Sequence, residues 1–172
     1  MSTNSTPPAP AAPPRRAVTC SLSPSPLQPT TPGYAVRHAV FVAEQGKPLN
    51  VEFDAVDQLP TTLHYYAVDA VTNEPLAACR VFPIDKVAES GRPGTVARLG
   101  RMGCVVAARG QGCAKTLCQY VHEDLRQRGF VAVMIHARLH KEGFYTKLGY
   151  KRTSDRIFVE VGMDHVEMEL AL

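Results

Sequence analysis

Along the chain the period of apolar and polar positions changes several times, and each change marks an element. Val18 to Leu22 reads as a first strand. Thr31 followed by Pro32 starts a helix and Gly46 with Pro48 stops it, and Val36, Ala39, Val40 and Ala43 fall between them on one helical face. Leu63 to Val68 and Leu76 to Phe82 are short strand-like runs, and the polar Thr72-Asn73-Glu74-Pro75 supplies the turn of an antiparallel hairpin. After Arg92-Pro93-Gly94, Val96 to Val106 reads as a fourth strand, weakened by Gly100 and Gly103, where close backbone approach becomes possible. Ala114, Leu117, Cys118, Val121 and Leu125 then recur at i, i+3, i+4, i+7 and i+11, with arginines in the last turn and Gly129 as the stop. Val131 to Ile135 is a buried-type strand, and Leu139 to Leu148 is a short helix ended by Gly149. Val166, Met168 and Leu170 alternate with Glu167 and Glu169, as in a half-buried strand. The order of strand, helix, three strands, helix, strand, helix and two strands predicts a mixed α/β domain whose sheet is mostly antiparallel.

Composition narrows the function classes. A chain of 172 residues and 18.7 kDa has room for one domain with a sizeable core. Its 45% hydrophobic and 20% charged residues are an ordinary globular balance, and no apolar run reaches the roughly 18 residues of a membrane span. A soluble protein with no membrane partner is expected, in the cytoplasm by default. A net charge of +3 and the lack of a basic stripe interleaved with aromatics point away from nucleic acid and toward a small molecule. A homodimer is compatible with all of this. The five cysteines, Cys20, Cys79, Cys104, Cys113 and Cys118, form no C-x-x-C pair. An odd count without a secretory leader predicts small core hydrophobes in a reducing compartment. Residues 1 to 33 carry nine of the fourteen prolines and no acid. Residues 1–16 are therefore expected to be a disordered tail and 17–172 the domain. Arg15-Arg16 has the charge of a mitochondrial presequence, but the prolines oppose the amphipathic helix such a segment needs.

The stretch with the most chemical content is R-G-Q-G-C-A, Arg109 to Ala114, between the fourth strand and the strongest helix. A strand entering a helix through small residues aims unpaired backbone N–H groups and the positive end of the helix dipole at one point, which suits an anion. A Walker A loop requires glycines where Arg109 and Ala114 stand relative to Lys115. A Rossmann turn requires its third glycine where Lys115 stands, after the first strand of a βαβ unit rather than after a hairpin.

What remains resembles the pyrophosphate motif of the GNAT superfamily of N-acetyltransferases. RHAVFVAEQ (Arg37 to Gln45), EFDAVD (Glu52 to Asp57), His64, LGRM (Leu99 to Met102), FYTKLGY (Phe144 to Tyr150) and FVEVGMDHVEMEL (Phe158 to Leu170) stand in the order seen in ElaA-type members. The resemblance covers about Thr31 to Leu172 and implies the GNAT, or acyl-CoA N-acyltransferase, fold, with helices flanking a sheet splayed between strands 4 and 5. It further implies that the pantetheine arm of acetyl-CoA enters the gap beside Gly103, Cys104 and Val105, and that Arg109, Gly110, Gln111, Gly112, Cys113 and Ala114 wrap the pyrophosphate. An amine would attack the thioester directly, while a strand N–H near Cys104 polarises the carbonyl. Tyr145 matches the family tyrosine that protonates the departing thiolate, unless it only packs the helix onto the sheet.

A protonated amine also needs a base, for which Glu44, His64 and His165 are candidates and Glu44, in the family's E-Q motif, is preferred. Glu44 as a solvated helix-end carboxylate is the alternative. Many family members carry a fourth-strand glutamate where this chain offers Gly100 and Arg101. His136-Ala137-Arg138 replaces the family's Gly-Ala-Gln or Asn-Ala-Gln, so Arg138 either pairs with an anionic substrate group or makes a surface ion pair. His64 and His165 complete the expected substrate contacts, with Glu160 and His165 on a hairpin over the pocket. Glu52, Asp54 and Asp57 either attract a cationic amine or form a solvated acidic loop. The H-x-x-x-H spacing of His136 and His140 is read as split between a strand end and a helix start, so no metal site is expected. The expected activity is acetyl-CoA-dependent N-acetylation of a small-molecule primary amine. The alternatives are a non-catalytic coenzyme A-binding module of the same fold and, further off, a nucleotide-binding switch.

Overall fold

Seven strands form one sheet: β1 (Val18–Ser23), β2 (Leu63–Asp69), β3 (Pro75–Ile84), β4 (Thr95–Cys104), β5 (Phe130–Arg138), β6 (Lys151–Glu160) and β7 (Met163–Ala171), in the order β1-β2-β3-β4-β5-β7-β6. The computed structural model describes residues 16–172. The expected tail lies outside the described residues except for Arg16, which sits 3.7 Å from Asp69 and 3.6 Å from Glu74.

Every neighbouring pair is antiparallel except β4 with β5, and that pair is the feature that creates a site. The parallel ladder runs only from Thr95 to Arg98 against Phe130 to Met134. Beyond it β4 stays with β3 and β5 stays with β7, so the sheet opens into a fork. A bulge accompanies the opening: Ala78 faces Gly103 while Arg80 faces Gly100, which leaves one extra residue in β4. Arg101 takes a left-handed φ of 53° within it. An extra residue bends a strand and increases its twist, which carries the rest of β4 away from β5.

Helix α1 (Pro32–Arg37) starts at Thr31, whose side chain accepts from the Tyr34 N–H, and continues as a π-helical segment over His38–Glu44. A short α2 (Leu49–Glu52) follows. Val36, Val40 and Phe41 pack against Ala78 of β3, whereas Leu117, Val121 and Leu125 of α3 (Cys113–Gln127) pack in the main core with Ala77 and Cys79. Successive strand residues point to opposite faces, so α1 and α3 cover opposite sides of the sheet. After β5 comes a 3₁₀ turn, Leu139–Lys141, and then α4 (Glu142–Thr146), where the sequence predicts one continuous helix.

Two expectations about burial change. Ala39 and Ala43 are exposed, and the buried stripe of the first helix is Val36, Arg37, Val40 and Phe41, because Arg37 enters the interior with its charge matched. Glu169 of β7 is buried instead of facing water, and its carboxylate accepts the Glu89 N–H at 2.8 Å. All five cysteines are free. Among the described residues no helix is long and apolar enough to cross a membrane.

Candidate functional site

The mouth of α3 opens beside the far end of β4. Its N-cap is Gly112, at φ 87° with no side-chain cap, and Gly110 is also left-handed at φ 77°. Glycine is the residue that adopts these angles without a Cβ penalty, and alternating handedness curls successive N–H groups toward one point. The N–H groups of Gly110, Gly112, Cys113 and Lys115 donate to no backbone carbonyl among the described residues. Ala114 N–H is turned on the Cys104 thiol. With Ala114, three of the six motif residues differ from expectation: Arg109 N–H donates to Val106 and Gln111 N–H to Ala108, so these too are spent within the turn rather than offered to a ligand.

The Arg109 side chain also faces elsewhere. It reaches back over the end of β4, donates to the Cys104 carbonyl at 3.0 Å and grips both Glu44 carboxylate oxygens at 2.8 and 2.6 Å. The hydrogen bonds and charge of Arg109 hold the Glu44 pKa below the usual carboxylate value. Val105 N–H donates to the Leu76 carbonyl of β3. Because N–H directions alternate along an antiparallel strand, the Cys104 N–H points away from β3, toward the fork. Gly103 lies under the first helix, where a Cβ would come within 3.2 Å of the Phe41 ring.

The crotch of the fork carries a polar cluster. Arg98, at the last β4–β5 pair, and Glu160, at the end of β6, both contact Nδ1 of His136, Glu160 at 2.9 Å, and which of them is hydrogen-bonded to it depends on the ring's tautomer. Glu167 of β7 lies 3.6 Å from His136 Nε2 and is held by Lys86 at 2.6 Å and Thr153 at 2.8 Å. Arg138, at the end of β5, donates to Gln45 Oε1 at 2.8 Å and so bridges β5 to the end of the first helix. His165 is its cross-strand neighbour, with Nδ1 2.8 Å from its own strand's Met163 carbonyl and its ring stacked on Phe158.

His64 is not in this space. It is buried two strands away, with Nε2 3.2 Å from the Asp57 carbonyl, and burial lowers its pKa. The substrate contact expected of it is therefore withdrawn. The acidic run around it is neither a solvated loop nor an amine attractant. Arg37 binds Glu52 at 2.7 Å and Asp57 at 2.7 and 2.9 Å, Arg80 binds Asp54 at 2.6 and 2.8 Å, and Arg101 reaches Glu52 at 3.0 Å and Asp54 at 3.1 Å. Three guanidinium groups balance three carboxylates, pinning the link between α1 and β2 onto the bulged part of β4. Burial pushes the Asp57 carboxyl up, but the Arg37 hydrogen bonds and the Arg37 and Arg80 charges prevail and hold it at about 2.

The chain that carries this fork and helix mouth is similar to known proteins. The model of the GNAT acetyltransferase domain matches residues 88–172. A Bacillus subtilis protein named "Putative acetyltransferase" is 30% identical over 138 residues, covering 78% of this chain and 84% of its own. The chain belongs to the GNAT acetyltransferase family. Among solved GNAT-fold structures, a "putative N-acetyltransferase" of Lactobacillus plantarum superposes with a TM-score of 0.76 at 30% identity, over 91% of this chain and 99% of that one. Escherichia coli ElaA superposes at 0.71 with 22% identity, over 89% and 99% of the two chains. An aminoglycoside 6'-N-acetyltransferase complexed with coenzyme A shares the fold at 0.65 with 13% identity, over 88% and 96%. An activity of acyl transfer from acyl-CoA goes with the GNAT family, as does binding of the acyl-CoA itself.

On this GNAT frame Tyr145 lies in the main core beside Tyr150 and Phe144, and burial raises its pKa far above that of a free phenol, so it stays protonated. The cluster of Arg98, His136, Glu160 and Glu167 is what sequence reasoning missed as a unit. Its visible signals were a histidine where the family shows Gly or Asn and Glu160 on the hairpin over the pocket, and nothing in the sequence joins the two.

Proposed function

We propose that this protein transfers the acetyl group of acetyl-CoA to a primary amine of a small molecule. The single observation that carries the reading is the alignment of the open β4–β5 fork with the uncapped mouth of α3. Pyrophosphate oxygens suit the free N–H groups of Gly110, Gly112, Cys113 and Lys115. The pantetheine arm fits along Gly103, Cys104 and Val105 as a pseudo-strand in the gap, with the Cys104 N–H directed at the thioester oxygen. Tyr145, held in its acid form, serves as proton donor to the departing thiolate. Arg138 and His165 line the acceptor side beside the β6–β7 hairpin. Glu44 acts through Arg109, fixing the turn that precedes α3, because a carboxylate engaged at both oxygens and acidified by its partner is a poor base.

The test is release of free thiol from acetyl-CoA across a panel of small amines, with acetylated product identified by mass spectrometry. Turnover of at least one primary amine is expected. A second reading rests on the bulge position of β4, where Arg101 is committed to Glu52 and Asp54 and the strand itself carries no carboxylate. It is a coenzyme A-binding module without catalysis, supported instead if coenzyme A binds and no amine is turned over.

A further inference from the structure

We infer that His136 is the general base of the acceptor site, with Glu160 as the group that positions it. The inference rests on the acetyl-transfer reading above, and its evidence is the geometry at the crotch of the fork. His136 is the first residue past the last β4–β5 pair on the same face of β5 as Met134, so its ring stands where the two strands part. The imidazole is partly exposed, at 21%, which leaves it open to an acceptor while three side chains surround it. Phe158 of β6 packs edge-on against the ring at 4.7 Å, Glu160 of β6 holds Nδ1 at 2.9 Å, and Glu167 of β7 lies 3.6 Å from Nε2. Arg98 of β4 borders the ring, His165 of β7 stacks on Phe158, and Lys86 neutralises Glu167.

Nδ1 has two suitors, a donor in Arg98 and an acceptor in Glu160, and it serves one at a time. If Nδ1 accepts from Arg98, the proton sits on Nε2 and the ring has no free lone pair for an amine. If Nδ1–H donates to Glu160, Nε2 keeps its lone pair, beside Glu167, and the imidazolium formed on taking a proton is stabilised by both carboxylates. The inference requires the second tautomer. Nε2 then takes one proton from the acceptor ammonium, and the freed amine lone pair forms the C–N bond at the thioester carbonyl. Collapse of the tetrahedral adduct breaks the C–S bond. Of the two protons that nitrogen loses, one ends on the coenzyme sulfur and one passes from His136 to solvent.

Two measurements decide it. Nitrogen-15 spectra of the labelled full chain, with His136 assigned by a His136→Gln variant, should show the neutral ring protonated on Nδ1, and Glu160→Gln should shift that balance toward Nε2–H. An Nε2–H ring in the wild type overturns the inference whether or not any amine is acetylated, so it fails separately from the acetyl-transfer reading. In turnover, His136→Gln should slow an alkylamine acceptor about a hundredfold or more. The same variant should slow hydroxylamine, which is already neutral at pH 7 and needs no base, less than about threefold, with coenzyme A affinity unchanged. Equal losses on both acceptors would make His136 a packing residue and contradict its role as a base.

Discussion

Tyr145 and His122 show how burial sets what a side chain can do. Burial raises the Tyr145 phenol, which keeps it neutral but makes it a weaker acid, so donation to a thiolate depends on close approach rather than on the shift. Tyr145→Phe should therefore lower kcat about a hundredfold with the dissociation constant of acetyl-CoA kept within about twofold, read by steady-state kinetics beside calorimetry. An unchanged kcat would leave the ring as core packing only. His122, on the buried face of α3, sits 2.8 Å from the Tyr150 hydroxyl, and burial lowers its pKa to about 4 from 6.5. A histidine kept neutral in the fold binds its proton more readily when unfolded. Its contribution is complete above the unfolded pKa and is lost as pH falls from about 6.5 toward about 4, a loss on the order of 3 kcal/mol. Urea unfolding midpoints should fall over that window, and His122→Gln should flatten the fall. Neither effect was legible beforehand: Tyr145 was recognised by its motif, while His122 carried no signal because burial of a polar side chain depends on its partner across the fold.

At the scale of elements, boundaries written in glycine, proline and period were legible, and places where charge enters the core were not. The stop at Gly129, the hairpin around Thr72 to Pro75 and the face of α3 agree with the structure. The first helix did not follow the simple pattern, since Arg37 occupies the stripe that Ala39 and Ala43 were expected to share. A hydrophobic period cannot reveal an arginine whose acids lie fifteen and twenty residues away. The root of the fork depends on a glycine whose role also lay outside local pattern. At Gly94, φ is 144° and a Cβ would fall 2.3 Å from Val131 Cγ1, so Gly94→Ala forces β4 and β5 apart where they must pair. A stability loss of about 1–3 kcal/mol is expected from denaturant titration. Part of it should return in the Gly94→Ala, Val131→Ala double variant; a neutral Gly94→Ala would show that the root relaxes freely.

For the whole molecule, the ion network and the fork are one construction. Arg101 lies in the β4 bulge that accompanies the fork, and its guanidinium ties that bulge to Glu52 and Asp54, which Arg37 and Arg80 hold in turn. Removing one partner leaves buried charge uncompensated, so Arg37→Met should cost about 3–5 kcal/mol in thermal or urea unfolding. A loss below about 1 kcal/mol would mean that the carboxylates find other donors. Fold class and the location of the coenzyme motif were readable from sequence because strand-to-helix glycines and the order of motifs are local. The acceptor side was not, because it is assembled from β4, β5, β6 and β7, and His136 meets Glu160 only when the hairpin returns beside β5. The central claim is that backbone N–H groups at the mouth of α3 grip the coenzyme. Titration calorimetry of acetyl-CoA into the wild type and Gly112→Glu tests it most directly, since a carboxylate and a strained φ of 87° would both enter the nest. One binding site per chain in the wild type and no measurable heat in a folded Gly112→Glu protein is the predicted result; absent heat in the wild type, or equal affinity in the two, would contradict it.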